Sequence, residues 1–409
     1  MRDMLLGIHP KDFDIATSAT PDQIQKLIPK TIEVGKQFGV ILALVGEHRF
    51  EIATFRSDRS YSDGRRPDAV IFTSAKEDAL RRDFTINALF YDPIADKVID
   101  YVDGQKDLDE KIIRFIGDPH ARILEDHLRI LRAVRFKNTF NFRYHPETYN
   151  AIKKHAALIN KISRERIHDE LIKMLNSKDL RQVFEDLSET GLLQAIIPEL
   201  EAMRGVAQPI EYHQEGDVWE HTMRALNSLK STSSINTKFA TLFHDIGKPQ
   251  TFKIKERIRF DGHCEVSAEI ARKILSRLKF PKKDIDQITW LIKHHMMFIP
   301  LTEMNIGRRR HWFLRENFLD LMEVFYADAM GAEPQDLALY NKVMDLYRHD
   351  LKTMATKPEP LLNGKEIMKY LNIKPGKLIG EISKKLLEQQ LAKKIKTHKQ
   401  ALEWLKQFK

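Results

Sequence analysis

Cysteine is almost absent from this sequence, since Cys264 is the only one among 409 residues. A single thiol cannot form an internal disulfide or a cysteine-based zinc cluster, which excludes the disulfide-rich secreted domains. Long apolar runs are also missing, because no stretch approaches the roughly 20 residues of a membrane span and no signal-peptide core follows Met1. These absences predict a cytoplasmic protein without a membrane partner.

Both acidic and basic side chains are common in this sequence, with an excess of basic ones. The chain has 67 lysines and arginines against 58 aspartates and glutamates, a net charge of +9, and its pI is near 9.2. This balance suits a nucleic-acid partner, although a merely soluble basic surface explains it as well. The 42% hydrophobic and 31% charged fractions are those of an ordinary folded protein.

Repeats and low-complexity tracts are absent too, and the pattern of the chain changes along its length. Up to about residue 115, β-like runs such as "VILALVG" alternate with helical stretches, including 21–38. Nearly all later segments have helical periodicity, which predicts an α+β protein with a small α/β head and an all-helical remainder. Breaks at "IIPELEAMRGVAQPIEYHQEGD" and "MATKPEPLLNG" predict boundaries. The predicted domains are a head at 1–117, a helical neck and RNA-binding region at 118–205, a third domain at 206–354 and a basic helical tail at 355–409.

The opening stretch "MRDMLLGIHPKDFDIAT" has the pattern of a phosphate-site loop that runs into a strand. Asp12 and Asp14 are two residues apart, so on a strand they share a face. Such a pair can hold two divalent metals about 3.5–4 Å apart for phosphoryl or nucleotidyl transfer. Glu51, in "FEIATFR", could supply a third carboxylate, but a solvent-exposed edge residue explains it as well.

Arginine and aspartate recur together in "DALRRDFTINALFYD". Arg82, Asp83 and the nearby Asn87 could bind a ribose and a triphosphate, since the guanidinium fork suits phosphate oxygens. Adjacent arginines could equally form a solvated face.

The segment "ARILEDHLRILRAVRF" is predicted as one helix, with Leu124, Leu128 and Leu131 in a core stripe. A second face combines carboxylates and guanidiniums: Glu125, Asp126, Arg129 and Arg132. These groups could read the Watson–Crick edges of bases, because carboxylates accept from amino groups and arginine donates to ring nitrogens. A row of i,i+4 salt bridges is the alternative, and spacing alone does not decide between them.

Five segments in order resemble the motifs of class II tRNA nucleotidyltransferases and bacterial poly(A) polymerases. They are "RDMLLGIHPKDFDIAT", "RRDFTINALFYD", "DGQKDLDEKIIR", "EDHLRILRAVRF" and "ISRERIHDELIKML", within about residues 1–180. The resemblance implies a polymerase-β-like head in which Asp12 and Asp14 hold catalytic Mg²⁺ and Glu51 helps to activate the primer's 3′ hydroxyl. It also implies that Arg2 contacts the triphosphate.

The same resemblance assigns the remaining nucleotide contacts. Arg82, Asp83 and Asn87 bind sugar and phosphate, while a protein template selects CTP and then ATP. The template residues are Glu125, Asp126 and Arg129, with support from Arg132 and Arg135. The form "EDxxR" and the segment 56–68, similar to a flexible loop that A-incorporating members need, favour a CCA-adding or A-adding enzyme. The family's first motif begins with a strand and "GGxVRD", whereas this sequence starts at the position of that valine; we expect a truncated or misannotated start that puts activity in doubt.

A second ordered set, of histidines and aspartates, occupies "VWEHTMRAL", "TLFHDIGKP", "FDGHCEVSAEIA", "LIKHHMMFI" and "VFYADAMGA". Imidazole and carboxylate ligands on helices suit one or two divalent metals. The pattern resembles the HD superfamily of metal-dependent phosphohydrolases, fused to some bacterial CCA-adding enzymes. The implied ligands of a transition metal or Mg²⁺ are His221, His244, Asp245, His263, His295 and Asp328, with His295 favoured over His294. A helical tRNA-binding body without a metal is the alternative.

The sequence therefore predicts an enzyme that adds CCA from CTP and ATP to tRNA 3′ ends and releases pyrophosphate. Hydrolysis of phosphomonoesters or 2′,3′-cyclic phosphates is a second expected activity, with a metal-activated water as nucleophile. The lysine-rich tail is expected along the tRNA backbone. Rival hypotheses are an A-adding enzyme, a poly(A) polymerase, and an HD phosphohydrolase with an inactive head; the oligomeric state is left open.

Overall fold

A computed structural model describes residues 1–10, 12–59, 69–353 and 358–408. The chain forms two compact units, Met1–Glu201 and Ala202–Lys409. The first combines a small sheet with helices and the second is almost entirely helical, which confirms the predicted α+β class. The four-domain division stays a prediction, and residues 60–68 of the expected flexible loop lie outside the described part of the chain.

The strands of the first unit are short. They are β1 (Ile15–Thr17), β2 (Thr31–Gly35), β3 (Val40–Val45), β4 (His48–Thr54), β5 (Arg56–Arg59), β6 (Ala69–Phe72), β7 (Phe90–Asp92), β8 (Lys97–Ile99), β9 (Ile112–Ile113) and β10 (Arg143–Tyr144).

The main sheet has the strand order β1-β4-β3-β2, with β1 parallel to β4 and the other pairs antiparallel. A two-residue turn joins β3 to β4, and Gly46 supplies its positive φ of 62° at no steric cost. Alternation along β4 buries Ile52 and points Glu51 to the opposite, exposed face. Ile24, in the helix Pro21–Leu27 between β1 and β2, packs on Ile41, Ala43 and Ile52 to form the core of the sheet.

Eleven helices belong to the described part of the first unit. They are α1 (Arg2–Leu5), α2 (Pro21–Leu27), α3 (Ala75–Leu80), α4 (Gly104–Asp109), α5 (Pro119–Glu125), α6 (Arg129–Phe140), α7 (Pro146–His155), α8 (Arg164–Met174), α9 (Leu180–Glu189), α10 (Leu192–Ile196) and α11 (Pro198–Glu201). Short 3₁₀ turns cover Lys36–Phe38, Thr85–Asn87 and Ala156–Lys161.

The second unit is a helical assembly with one two-stranded ribbon. Its elements are α12 (Val218–Asn227), α13 (Ile235–Phe243), α14 (Lys248–Thr251), β11 (Lys253–Ile254), β12 (Ile258–Arg259), α15 (His263–Arg277), α16 (Lys282–His294), α17 (Phe298–Glu303), α18 (Ile306–Phe313), α19 (Phe318–Gly331), α20 (Ala338–Thr353), α21 (Gly364–Leu371), α22 (Lys377–Leu391) and α23 (His398–Leu405). 3₁₀ turns span His295–Met297 and Lys406–Phe408. No helix in the described ranges is long and apolar enough to cross a bilayer.

Two predicted elements of the head are wrong in part. The helix expected at 21–38 ends at Leu27, because Thr31, Ile32 and Val34 are β-branched and the segment pairs with β3 as a strand. The opening stretch forms the short helix α1 rather than a loop. Asp12 and Asp14 precede the strand β1 instead of lying on it, since the ladder with β4 starts only at Ile15.

The helix predicted over 121–136 is two helices with a break at residues 126–128. Asp126 has extended φ and ψ of −143° and 106°, and its carboxylate accepts a hydrogen bond from the backbone N–H of Leu128. This local bond competes with helical pairing, as aspartate side chains do near helix starts. The break also removes Leu124 from the expected core stripe: it is 51% exposed, whereas Leu128 and Leu131 are buried.

Candidate functional site

The nucleotide-binding residues predicted in the head meet in one hydrogen-bonded network. Asn87 accepts from Nη1 of Arg2 at 2.5 Å and donates to Oδ1 of Asp83 at 3.0 Å. Oδ2 of the same aspartate accepts from Arg132 of α6 at 2.6–2.7 Å. Arg82 donates to the backbone carbonyl of Asn87 at 2.9 Å. Residues far apart in the sequence therefore form one arginine-rich surface.

Aromatic rings and a buried carboxylate hold this surface in place. Arg2 lies over the rings of Phe136 and Phe140, with its guanidinium carbon 5.0 and 4.5 Å from the centroids. Asp78, which the sequence analysis missed, is buried and pairs with both Arg81 and Arg82. Its spacing of i,i+4 to Arg82 on α3 was the available signal.

Asp83 is ionised inside this network. Burial by itself would raise the pKa of Asp83, but the charge of Arg132 and the hydrogen bonds from Arg132 and Asn87 outweigh it and lower the pKa below its ordinary value. The carboxylate therefore keeps a negative charge that fixes two donors, Arg132 and Asn87, in position.

The predicted template residues lie at the α5–α6 break. Glu125 forms ion pairs with Nη1 of both Arg122 and Arg129. The Arg129 guanidinium is almost fully buried and also donates to the carbonyls of Arg122 and Arg81, at 3.0 and 3.2 Å. The i,i+4 pair that was weighed as an alternative is thus present, and it anchors the arginine to the break.

Asp126 has a separate partner that the sequence analysis missed. Arg166 of α8 binds it through two parallel bonds, Nη1 to Oδ1 at 3.1 Å and Nη2 to Oδ2 at 2.7 Å. Arg135, predicted to support the template, pairs with the buried Glu170 of α8 at 2.6 Å and lies over Phe136. Helix α8 therefore braces both the α5–α6 break and helix α6.

The three predicted catalytic carboxylates are exposed: Asp12, Asp14 and Glu51. None of them forms an ion pair with another residue in the described ranges, and carboxylate oxygens suit Mg²⁺. Within those ranges, they do not belong to any trio of ligand atoms within 4.8 Å of one another. Ile15 directly follows Asp14 and pairs with Ile52 of β4. Glu51 lies one residue before Ile52.

In the second unit, all six predicted metal ligands come together. Nε2 of His221 lies 3.0 Å from Oδ1 of Asp328, and Nε2 of His244 lies 3.5 Å from the same oxygen. Oδ1 of Asp245 lies 3.5 Å from Nε2 of His263 and 4.0 Å from Nε2 of His295. His294 does not belong to this set, because its ring contacts Trp290 at a tilt and Trp312 edge to face.

Two glycines permit this convergence. A Cβ at Gly247, after "HDI", would lie 2.6 Å from the backbone nitrogen of Ser267, so only glycine lets this turn approach the start of α15. A Cβ at Gly331 would lie 2.8 Å from the carbonyl oxygen of His221, which requires close packing of α19 on α12. These contacts bring His263 to the Asp245 turn and Asp328 to His221.

Each histidine is oriented by a bond from its Nδ1. Three of them donate to the carbonyl three residues earlier: His244 to Thr241 at 2.7 Å, His263 to Phe260 at 2.9 Å and His295 to Ile292 at 2.7 Å. His221 donates to Oε1 of the buried Glu215 at 2.8 Å. Because these oxygens can only accept, Nδ1 carries a hydrogen, and Nε2 of each histidine faces the centre as the atom that a metal would bind.

The cluster is rich in acceptor atoms and buried. Burial lowers the pKa of His244, but Asp245 and Asp328 outweigh it and raise that pKa to about 10. Burial and the neighbouring His244 lower the pKa of His295 to about 4. Nε2 of His244 and Oδ2 of Asp245 are buried without a hydrogen bond of acceptable geometry in the described residues. Four imidazole lone pairs and two carboxylates at this spacing fit a divalent metal.

Two further charged residues of this cluster escaped the sequence analysis. Lys248 forms an ion pair with Oδ2 of Asp245 at 2.6 Å and donates to Oε1 of Gln208 at 2.7 Å. Glu215 accepts from His213, from His221 and from the backbone of Glu333. In the sequence, Glu215 is marked only by its charge and its position six residues before the predicted ligand His221. That signal is too weak to identify it as part of the cluster.

Family models match three parts of the chain. A model described as Poly A polymerase head domain matches residues 1–114, one for an RNA and SrmB binding site of polymerase A matches 141–204, and one for tRNA nucleotidyltransferase domain 2 matches 262–405. The head match includes Arg2, Asp83, Asn87 and the three exposed carboxylates, but not Arg132.

Relatives match over almost the whole chain. The CCA-adding enzyme of Ligilactobacillus salivarius is 32% identical over 94% of this chain and 85% of its own length. The A-adding tRNA nucleotidyltransferase of Deinococcus radiodurans is 33% identical over 98% and 92%. The CC-adding tRNA nucleotidyltransferase of Thermus thermophilus is 31% identical over 99% and 91%.

A solved structure agrees with these matches. The crystal structure of Bacillus stearothermophilus CCA-adding enzyme in complex with CTP has a TM-score of 0.74 at 27% identity, covering 99% of this chain and 90% of that one. The motif order, the fold and relatives above 30% identity over most of both lengths agree. The chain belongs to the tRNA nucleotidyltransferase and poly(A) polymerase family.

Proposed function

We propose that this enzyme builds the CCA end of tRNA in the cytoplasm, transferring C, C and A from CTP and ATP with release of pyrophosphate. The observation that carries the proposal is the α5–α6 break, where Asp126 and Arg129 are held by protein partners at a point without helical pairing. A carboxylate acceptor and a guanidinium donor side by side complement the amino group and the ring nitrogen of cytosine or adenine.

Asp126 keeps room for one such contact. A carboxylate has about four lone-pair positions. Oδ1 uses two of them, for Arg166 and for the N–H of Leu128, and Oδ2 uses one for Arg166. The remaining position on Oδ2 can accept from the amino group that cytosine and adenine share and that uracil lacks.

Arg129 offers the complementary donor. Its Nη1 is committed to Glu125 and to the carbonyl of Arg122, and its Nη2 makes one bond to the carbonyl of Arg81. Guanidinium has five N–H groups, so Nε–H and one Nη2–H remain for a ring nitrogen or carbonyl. Fixing the guanidinium in advance reduces the entropy lost when the base binds.

Transfer itself is assigned to the exposed carboxylates Asp12 and Asp14, with Glu51 near the primer hydroxyl. When bound, Mg²⁺ neutralises the triphosphate and stabilises the attacking and leaving oxygens. The residues of the chain position the reactants: Arg2 and Arg82 face the phosphates, and Asp83 holds Arg132 and Asn87. Positioning of this kind contributes much of the rate in phosphoryl transfer.

Three related activities compete with the proposal. The names of similar enzymes include A-adding and CC-adding, and poly(A) polymerases share the head. An A-adding enzyme would extend only a transcript that ends in CC. A CC-adding enzyme would stop before A, and a poly(A) polymerase would use ATP on generic RNA and ignore CTP.

Variants of the template residues test the proposal. We expect Glu125→Ala and Arg129→Ala to reduce the preference for CTP and ATP over UTP and GTP more than they reduce total incorporation. Glu147→Ala, at an exposed position of α7, is the matched control and should keep wild-type selectivity. Unchanged selectivity in both template variants would count against a protein template at this break.

A second candidate function rests on the buried cluster of the second unit. We propose that it binds a divalent metal and hydrolyses phosphomonoesters or 2′,3′-cyclic phosphates, which would suit the repair of damaged tRNA ends. The supporting observation is the inward orientation of four Nε2 atoms around Asp245 and Asp328. When bound, the metal acidifies a water molecule so that it can attack phosphorus.

Hydrolysis of p-nitrophenyl phosphate and of 2′,3′-cyclic AMP with Mg²⁺, Mn²⁺ or Ni²⁺ tests this second function. His244→Ala and Asp245→Asn should abolish phosphate release, whereas His349→Ala, at an exposed position of α20, should not. Absence of hydrolysis with every metal, or activity that survives Asp245→Asn, would refute it.

A further inference from the structure

Cys264 lies beside the histidine and aspartate cluster and has no role in the functions proposed above. It is the second residue of α15, directly after His263, and it is partly buried. Its Sγ lies 3.6 Å from Nε2 of His263. The ligand atoms of Cys264, His263 and His295 all lie within 4.8 Å of one another. A thiol therefore meets two imidazoles at one side of the cluster.

We propose that Cys264 is a thiolate ligand of a zinc-type metal ion in this cluster, together with His263, His295 and Asp245. The proposal rests on the metal centre of the second candidate function and adds a ligand to it. On binding, the thiol proton passes to solvent and the sulfur–metal bond forms. Thiolate and imidazole donors favour zinc, cobalt and similar ions over Mg²⁺.

The nitrogen–nitrogen and nitrogen–sulfur distances match tetrahedral coordination. Bonds of about 2.0–2.1 Å to nitrogen and about 2.3 Å to sulfur place ligand atoms about 3.3 Å apart for two nitrogens and about 3.6 Å for nitrogen and sulfur. The two Nε2 atoms of His263 and His295 are 3.3 Å apart, and the sulfur lies 3.6 Å from the first of them. Oδ1 of Asp245 lies 3.5 and 4.0 Å from the same nitrogens, and the second distance is longer than tetrahedral coordination gives.

Electrostatics support a cation at this position. Nδ1 of both His263 and His295 donates to a carbonyl, so their Nε2 lone pairs face each other across 3.3 Å. Two lone pairs at that distance repel unless a proton or a metal lies between them.

A thiol that merely donates a weak hydrogen bond to His263 is the competing explanation of the short distance between sulfur and nitrogen. It predicts no sulfur–metal bond. The two explanations can be distinguished by spectroscopy. Cys264 is the only cysteine of the chain, so any thiolate–metal signal must come from this residue.

The test uses the full-length chain, stripped of metal by a chelator under reducing, oxygen-free conditions and titrated with Co²⁺. We expect visible bands of tetrahedral Co²⁺ and, in the near ultraviolet, a thiolate-to-cobalt charge-transfer band. Cys264→Ser should remove the charge-transfer band and weaken Zn²⁺ binding by at least the ~10-fold that loss of an outer-sphere partner costs. Glu265→Gln, the exposed next residue of α15, is the control and should leave both unchanged.

Cobalt that binds without a charge-transfer band would overturn the ligand role of Cys264 while leaving the metal centre intact. A band that persists in Cys264→Ser would also overturn it. Failure of the wild-type chain to bind cobalt at all would refute the metal centre itself. Nucleotide addition to tRNA, measured on the same samples, should be unchanged by Cys264→Ser, which separates this proposal from the polymerase proposal.

Discussion

At the scale of single residues, the carboxylates of the head lie in two different environments. Asp12 and Asp14 are exposed and form no ion pair among the described residues, so they can bind a metal without first breaking an existing interaction. Asp83 and Asp126 are held by arginines, so they position their neighbours instead. These environments lead to different expectations for each substitution.

Asp14→Asn should reduce nucleotide addition by roughly a thousandfold or more, because loss of a metal ligand removes several kcal/mol of transition-state stabilisation. Binding of tRNA should be unchanged. Initial rates of incorporation at saturating CTP and tRNA measure the effect. Asp22→Asn, at an exposed position of α2, is the control; an equal loss in that variant would contradict a specific role for Asp14.

Asp83→Asn should lower the free energy of unfolding by about 3 kcal/mol at neutral pH, because it leaves Arg132 without its charged partner. The folded-state pKa of Asp83 is lowered, so the stabilisation is present above the unfolded value of 3.8 and is lost as pH falls below it. Urea unfolding of the wild type and Asp83→Asn at several pH values should show that the difference between their free energies of unfolding becomes smaller in acid. A difference that becomes larger in acid would contradict a lowered pKa of Asp83. Asp109→Asn, at an exposed position, is the control and should have the wild-type free energy of unfolding.

At the scale of elements, the break between α5 and α6 is the feature that sequence periodicity could not predict. The apolar spacing of "ILEDHLRIL" continues through it, because Ile123, Leu128 and Leu131 are all buried despite the interruption. What ends α5 is the preference of Asp126 for a local bond to Leu128 and its pairing with Arg166, a residue forty positions away. Such a long-range pairing leaves no periodic signal.

Arg166→Lys tests that pairing, because lysine keeps the charge but cannot bind both oxygens of Asp126 at once. We expect discrimination between CTP and UTP to fall by about tenfold, at the lower end of what a bidentate interaction contributes. Competition assays with both nucleotides measure the ratio directly. Arg143→Lys, exposed on β10, should keep the wild-type ratio; unchanged discrimination in Arg166→Lys would remove α8 from base selection.

Other elements were predictable where local chemistry and tertiary packing agree. The runs "VILALVG" and "RFEIATFR" contain strands β3 and β4, and the His-Asp segments lie where helices end and meet. Prediction failed at 21–38, where pairing with β3 converts the second half to strand, and at Leu124, which the break exposes. The types of the candidate metal ligands could be predicted from the sequence. Glu215, Lys248 and Arg166 could be identified as partners of these sites only from the fold.

At the scale of the whole molecule, a net charge of +9 suits a polyanionic substrate. We expect the affinity for tRNA to fall by at least about tenfold from about 50 to about 200 mM salt, because binding to phosphates releases counterions. Lys377 and Lys384 lie on one exposed face of α22. Replacing both by glutamate should make the slope of log binding constant against log salt concentration less negative by about 1 for each phosphate that is no longer bound. Lys273→Gln, on α15, is the control; an unchanged slope in the double variant would remove this face from the tRNA-binding surface.

The most direct test of the central claim is to read the 3′ ends that the purified 409-residue chain produces. A tRNA transcript without CCA is incubated with Mg²⁺, CTP and ATP, and the products are sequenced. A CCA-adding enzyme should add C, C and A and then stop. Addition of C and C alone, of A only to a transcript that already ends in CC, of a long A tail, or of nothing would contradict it.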